Sequence, residues 1–303
     1  MMKDGHLDRR TGCEVEFIRK FERSRRSDTD WVTDARENGA GHRRDGWNRG
    51  RDCPATGGNG RSCVAARKEP GKAEHTWEAI RKETGNNSLG IVLADFAELA
   101  QVHQLAAEVQ AQVGHLDVLI NNAGVYLTEK QLTVDGYEMT FAVNHLAPFL
   151  LTNLLLSALK ASAPARVVTV SSVAHGSARW DWENLNAEKK FHSWGAYCIS
   201  KLGNLLFTFA LSRRLEGSGV TANALHPGVV NTRMSQQLKL EGKPVEQGAE
   251  TPIYLASSPE ATGVNGEYFS QKRVAQPSEM ARDEALQEKF WAVSRAMVGL
   301  GTD

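Results

Sequence analysis

Tyr197 and Lys201 stand four positions apart in Tyr-Cys-Ile-Ser-Lys. On a helix that spacing puts both side chains on one face, a turn apart. An ammonium beside a phenol favours phenolate, so the lysine is expected to pull the tyrosine below its ordinary pKa of about 10, toward the range of an acid/base catalyst. Such a pair could give a proton to a substrate oxygen or take one from it. The motif is common on solvated helices, so its weight depends on the other motifs along the chain.

Upstream, Ala165-Arg-Val-Val-Thr-Val-Ser-Ser172 reads as a buried, β-branched strand ending in two serines. Side chains at the C-terminal edge of a parallel sheet face the crevice where ligands bind. Ser172 there could hydrogen-bond the oxygen that Tyr197 protonates; a Ser-Ser pair after a strand can equally be a turn or a helix cap. Leu116-Asp-Val-Leu-Ile-Asn-Asn-Ala-Gly124 is a second buried strand running into small and amide residues. Asn121, Ala123 and Gly124 would let a flat ligand approach the backbone closely. Asn144 is an amide in a largely apolar helical pattern, and a buried amide needs partners. It makes either a helix-interior hydrogen bond or holds a water near Lys201 as a proton path. Val220 to Thr232 reads as a further strand followed by a turn at Pro227-Gly228, with Thr232 on the same edge as Ser172.

The elements that must position these residues alternate. Helices are expected at 77–84, 97–112, 132–161, 194–215, 246–257 and 281–298, and strands at 90–95, 116–120, 165–171, 219–225 and 266–270. Such alternation means an α/β domain with a parallel sheet covered on both faces.

Asn121-Asn-Ala-Gly124, Asn144, Ser172, Tyr197-x-x-x-Lys201 and Pro227-Gly228, in this order, resemble the short-chain dehydrogenase/reductase family. Thr140-Phe-Ala-Val-Asn-His-Leu-Ala-Pro-Phe-Leu-Leu-Thr and Val167-Val-Thr-Val-Ser-Ser-Val-Ala-His are similar to its retinol-dehydrogenase-like branch, and the likeness runs from about Ala73 to the C-terminus. The resemblance implies a Rossmann-like, doubly wound parallel sheet. It implies hydride transfer between NADP or NAD and an alcohol or carbonyl carbon, the cofactor carrying the difficult step. Tyr197 would be the acid or base. Lys201 would lower its pKa and hold the nicotinamide ribose, Ser172 (the second of its pair) would fix the substrate oxygen, and Asn144 would anchor a relay water. Asp95 would meet the adenine amino group, and Asn121, Ala123 and Gly124 would line the adenosine side. Pro227, Gly228, Val230 and Thr232 would hold the nicotinamide end. The resemblance also implies a homodimer through the two long central helices.

The family's opening glycine-rich turn, which holds pyrophosphate on backbone amides and a helix N-terminus, is not seen here. Thr56-Gly-Gly-Asn-Gly-Arg-Ser-Cys63 is an echo with Arg61 and Cys63 where the later glycines belong. Residues 1–72 are rich in Arg, Asp and Gly and poor in Leu, Ile and Val, a composition that favours disorder. They are set apart from the domain at 73–303, whose first β-α-β unit is expected to be degraded or missing. Codons for Arg44-Asp-Gly-Trp-Asn-Arg, read one base later, allow Val-Thr-Gly-Gly-Thr, so a shifted reading frame is one explanation; a natural extension and a misplaced gene start are others. Val64-Ala-Ala-Arg67 resembles the end of the family's second strand, and Arg67 and Lys68 favour NADP over NAD. A catalytically silent family member without the pyrophosphate loop is the alternative function.

The chain has 303 residues and a formal net charge of zero, with no nucleic-acid motif despite its Arg-rich start. No apolar run is expected to span a membrane and no signal peptide is read, so the expectation is cytoplasmic. Scattered cysteines without metal spacing argue against a zinc site. The aromatic insert Trp180 to Trp194 beside the site either packs its loop onto the domain or lines the path of a lipophilic alcohol or aldehyde.

Overall fold

The computed structural model describes residues 14–19, 62–68, 70–84, 89–113 and 115–301. One sheet carries the strands β1 (Glu14–Arg19), β2 (Ser62–Arg67), β3 (Leu89–Leu93), β4 (Val118–Asn121), β5 (Ala165–Val170), β6 (Val220–His226), β7 (Tyr268–Ser270) and β8 (Arg273–Val274), in the spatial order β3-β2-β1-β4-β5-β6-β7-β8. Neighbours β2/β3, β4/β5, β5/β6 and β6/β7 are parallel. Two strands depart from the expected parallel sheet. β1 runs antiparallel to both β2 and β4, and β8 is an antiparallel edge strand formed as the chain reverses after β7. The glycine-rich echo is described only at its end, where Ser62 and Cys63 open β2. The codon-shift reading and most of the segment expected to be disordered lie outside the described residues, as does any test of a degraded first unit.

The central strands alternate sides as a period of two requires. Leu119, Val167, Ala222 and Ala224 point into the larger core. Val118, Ile120, Val168, Val170 and Leu225 point the other way, against Leu255 and Ala256. The helices are α1 (Pro70–Thr84), α2 (Leu99–Gln112), α3 (Met139–Ala161), α4 (Ser193–Arg214), α5 (Arg233–Gln237), α6 (Val245–Ser257), α7 (Glu279–Arg282) and α8 (Glu284–Met297). α2, α3, α4 and α8 supply the larger core and α6 the smaller. This is the Rossmann-like α/β architecture.

Two helices differ from expectation for local reasons. α3 begins at Met139, not 132, because Thr133 to Tyr137 close a turn through Gly136 at φ +83°, and the Glu138 carboxylate then caps the N–H groups of Thr140 and Phe141. The pattern at 281–298 is two helices: Asp283 leaves helical backbone and caps α8 through Leu286 N–H. α3 is also long and apolar enough to cross a membrane, which corrects the expectation that no run is; here 72% of its apolar window is buried inside the domain, as for a core helix.

Candidate active site

α4 is stitched to the end of β5 by polar bonds. Ser171 Oγ donates to Lys201 C=O at 2.7 Å, while Lys201 Nζ at 3.1 Å and Asn204 Nδ2 at 3.2 Å both donate to Val170 C=O. Ser171 is therefore spent on the framework. Ser172 turns the other way, half-buried, its hydroxyl accepting from Ala174 N–H at 3.2 Å and lying near enough to the Tyr197 phenol to pull its pKa down. So the second serine, not the first, meets the tyrosine. It also caps a short 3-10 turn (Val173–Ser177), so both readings of the Ser-Ser pair hold at once.

Tyr197 and Lys201 do share a face, with Nζ 5.7 Å from the ring centroid. The expected lowering of the phenol pKa is corrected. Burial pushes Tyr197 up to about 12, with the nearby Ser172 hydroxyl pulling in the opposite direction. Lys201 spends one donor on Val170 and stands off the ring, so desolvation of the phenol outweighs its charge.

Asn144 sits in a π-helical turn, Ala142–Leu146, inside α3. Such single bulges re-aim a side chain and recur at functional sites. Its Oδ1 accepts from Val125 N–H at 2.7 Å, and its Nδ2 donates to Val125 C=O and Ser200 Oγ, each at 3.0 Å. Both amide protons are thus used internally, and Oδ1 keeps one acceptor position. Gly124 lies between: a Cβ there would stand 3.5 Å from Lys201 Nζ and 3.7 Å from Asn144 Oδ1.

Along the rest of the edge, Asn121 donates to Thr152 Oγ1 at 2.9 Å but its buried Oδ1, like Asn122 Nδ2 next to it, has no partner among the described residues. Ala123 is buried beside them. Asp95, after β3, is engaged: Oδ2 pairs with Lys68 Nζ at 2.5 Å and Oδ1 accepts Ala97 N–H at 3.0 Å. Pro227 leads into Gly228, whose φ of +86° suits glycine and whose missing Cβ makes room for the Lys243 stem, 2.6 Å from where that Cβ would be. Val230 is buried and bridges to Lys243. Thr232 caps α5 in a reciprocal box with Ser235. The site residues read from sequence therefore fall along the C-terminal ends of β3 to β6 and on α3 and α4.

Three further residues stand at this edge: Lys243 and His175 carried no sequence signal that selected them, whereas His226, next to Pro227-Gly228, could touch cofactor or substrate by its position but reads first as structural. Lys243 arrives from a loop that no periodicity predicts. His226 is half-buried, its enclosed Nδ1 has no partner among the described residues, and it is held down to about 4 by burial, then by Lys243, His175 and Lys201. His175 bonds Ser172 C=O through Nδ1 at 2.6 Å.

The mouth of the site is aromatic. Trp194 stacks on Tyr197 at 5.7 Å, and Tyr126 meets it edge-on at 5.9 Å, with Ala178 and Met234 packed against the same cluster. Trp180 and Trp182 instead pack on each other, on Phe290 and under the Lys289 ammonium. The aromatic insert thus divides: two tryptophans hold the loop down and one reaches the tyrosine.

The model of the short chain dehydrogenase family matches residues 53–242. Retinol dehydrogenase 13 of Homo sapiens is 40% identical over 258 residues, 80% of this chain and 78% of the relative. Among solved structures, an uncharacterized protein of Mycobacterium paratuberculosis superposes with a TM-score of 0.63 at 33% identity, over 76% of this chain and 82% of the other. A blue fluorescent protein from a metagenomic library, solved in complex with NADPH, superposes with a TM-score of 0.53 at 25% identity, over 67% and 83%. With the matched span, the identities and the site geometry in agreement, the chain belongs to the short-chain dehydrogenase family of oxidoreductases.

Proposed function

We propose that this protein interconverts an alcohol and a carbonyl on a lipophilic substrate with a nicotinamide cofactor, NADP in preference to NAD. The observation that carries the reading is the meeting of the Tyr197 phenol, the Ser172 hydroxyl and the Lys201 ammonium at one crevice edge. The described residues fit the cofactor: Asn121 Oδ1, Asn122 Nδ2 and His226 Nδ1 are buried atoms without partners among the described residues, and Gly124 and Gly228 open the backbone beside them. When bound, the cofactor supplies the hydride chemistry.

The chain's own residues supply the rest. Tyr197, with its pKa pushed to about 12, holds its proton at neutral pH and so serves as the acid in carbonyl reduction. Ser172 hydrogen-bonds the same substrate oxygen and sets its direction. Lys201 and Asn144 line the cofactor side of the phenol across Gly124. Asn121, Ala123, Gly124, Pro227, Gly228, Val230 and Thr232 would cradle the cofactor, with Asp95 at its adenine end. Lys68, at the end of β2 on Asp95, offers a cation for a 2′-phosphate. Trp194, Tyr126 and Met234 around Tyr197 support a lipophilic substrate, in keeping with relatives named retinol dehydrogenases.

Calorimetric titration with NADPH and NADH tests the reading, followed by a screen of aliphatic and retinoid aldehydes. Micromolar binding of NADPH, weaker binding of NADH and turnover of an apolar aldehyde are expected. Binding of neither at millimolar concentration would overturn the proposal and leave a silent family member.

A further inference from the structure

His175 follows Ser172 by three positions and is 6% exposed, in the turn that Ser172 caps. Its two ring nitrogens meet partners of opposite kind. Nδ1 lies 2.6 Å from Ser172 C=O, which can only accept. Nε2 lies 3.1 Å from Ser278 N–H, which can only donate. The proton must therefore sit on Nδ1, with Nε2 as acceptor, and the ring must be neutral. The backbone N–H of His175 also reaches Ser172 C=O, at 3.2 Å. The ring is fixed from a third side by the Tyr268 ring, edge-on at 5.2 Å. Ser278 is not a passive donor: it caps α7, more than a hundred residues away along the chain. One imidazole thus joins the end of β5 to the C-terminal segment.

The Ser172 carbonyl is held by two donors from one residue. That fixes the plane of the peptide after Ser172, and with it the direction in which the Ser172 side chain leaves the backbone toward Tyr197. We infer that His175 is a positioning residue: as the neutral Nδ1–H tautomer it clamps Ser172 between β5 and the C-terminal segment, so that the serine hydroxyl is aimed at the phenol. The inference rests on the reading of Ser172 and Tyr197 under Proposed function.

Two measurements on the full-length protein test it. The first needs no turnover: the histidine ring nitrogens of 15N-labelled protein are assigned with His175→Asn and read at pH 7. A protonated Nδ1 and bare Nε2 on His175 are expected; an Nε2–H tautomer or a charged ring overturns the clamp. The second compares His175→Leu with His175→Asn. Asparagine keeps an N–H donor where Nδ1 stands while losing the Ser278 bond and the ring contact with Tyr268. Misaiming a reacting group costs on the order of 10²-fold, so His175→Leu should lower kcat by about that factor with cofactor Kd unchanged, and His175→Asn should restore most of it. A His175→Leu protein with wild-type kcat, or a parallel loss of melting temperature in both variants with kcat per folded molecule unchanged, overturns the role. Absent turnover in the wild-type chain is a different failure, since it sinks the functional reading itself.

Discussion

The two ends of the central strands treat polar groups in opposite ways. At the N-terminal end, polar side chains are bonded among themselves and to the backbone. Arg166 at the start of β5 donates to Leu255 C=O and Ser258 C=O, both at 2.9 Å, and to Thr262 Oγ1 at 2.8 Å. Asn265 receives Ala222 N–H and donates to Ser212 C=O, and Asn223 receives Glu267 N–H and donates to Val264 C=O. Toward the C-terminal end, buried Asn121 Oδ1, Asn122 Nδ2, Thr169 Oγ1 and His226 Nδ1 have no partner among the described residues, and Tyr197 is a buried phenol with a raised pKa. An unpaired buried polar group costs roughly 1–3 kcal/mol. One end of the sheet is therefore built for stability, and the other leaves buried polar groups open, as the proposed function requires of a site that receives cofactor and substrate.

The sharpest way to break this contrast is Tyr197→Phe. It removes one hydroxyl from the C-terminal end and is expected to lower kcat by roughly 10³-fold, the middle of the range for a general acid. Thermal melting should change little, because the ring contacts with Trp194 and Tyr126 remain. A variant with a tenth or more of wild-type kcat would remove Tyr197 from the chemistry.

Acid should attack the C-terminal end first. His226 is held to about 4 and His145, next to Asn144 and enclosed by Phe141, Phe149, Phe207 and Phe290, to about 3, both mainly by burial. Unfolded, both titrate near 6.5. Between that value and the folded one the unfolded chain binds more protons, so stability is fully present above pH 6.5 and lost as pH falls. Each histidine should cost roughly 2 kcal/mol at pH 5. Urea unfolding at pH 7 and pH 5 reads the sum, and His226→Gln should flatten the slope; equal stability at the two pH values would contradict the burial of both.

At the other end, Arg166→Ala should destabilise by about 2 kcal/mol, as a charged donor leaves two carbonyls at the C-terminus of α6 unbonded. Per folded molecule, kcat/KM should stay within twofold. A kinetic effect larger than its stability effect would mean that the two ends are not separable.

What could be read from sequence follows the same division. Strands β4 to β6 and helices α2, α4 and α6 were legible because buried elements repeat apolar residues with a clean period. Tyr197, Lys201 and Ser172 were legible because their spacing is local or tied to a strand end. Asn144 was legible as a buried amide, but not the π turn that aims it, since no residue type marks an extra backbone step. His175 and Lys243 were not selected: one works through a bond to Ser278 and the other through a bridge to Val230, contacts that no local pattern encodes. The tyrosine pKa was misjudged because four-residue spacing gives proximity to a charge but not the depth of burial, and burial decides.

The smallest effect separates two adjacent residues. Ser171 and Ser172 differ in the sequence only by order, yet the fold sends one to the framework and one to the crevice. Ser171 Oγ ties to Lys201 C=O inside the protein, a single neutral hydrogen bond. Its loss in Ser171→Ala should cost about 1 kcal/mol of stability and leave kcat within tenfold, because Lys201 keeps its bond to Val170. Ser172→Ala removes the hydroxyl beside the phenol and should do the reverse, lowering kcat by about 10²-fold with little change in melting. Urea unfolding and steady-state kinetics on the two variants place them on opposite axes. If both fell on one axis, the boundary between framework and reaction would not run between these two residues.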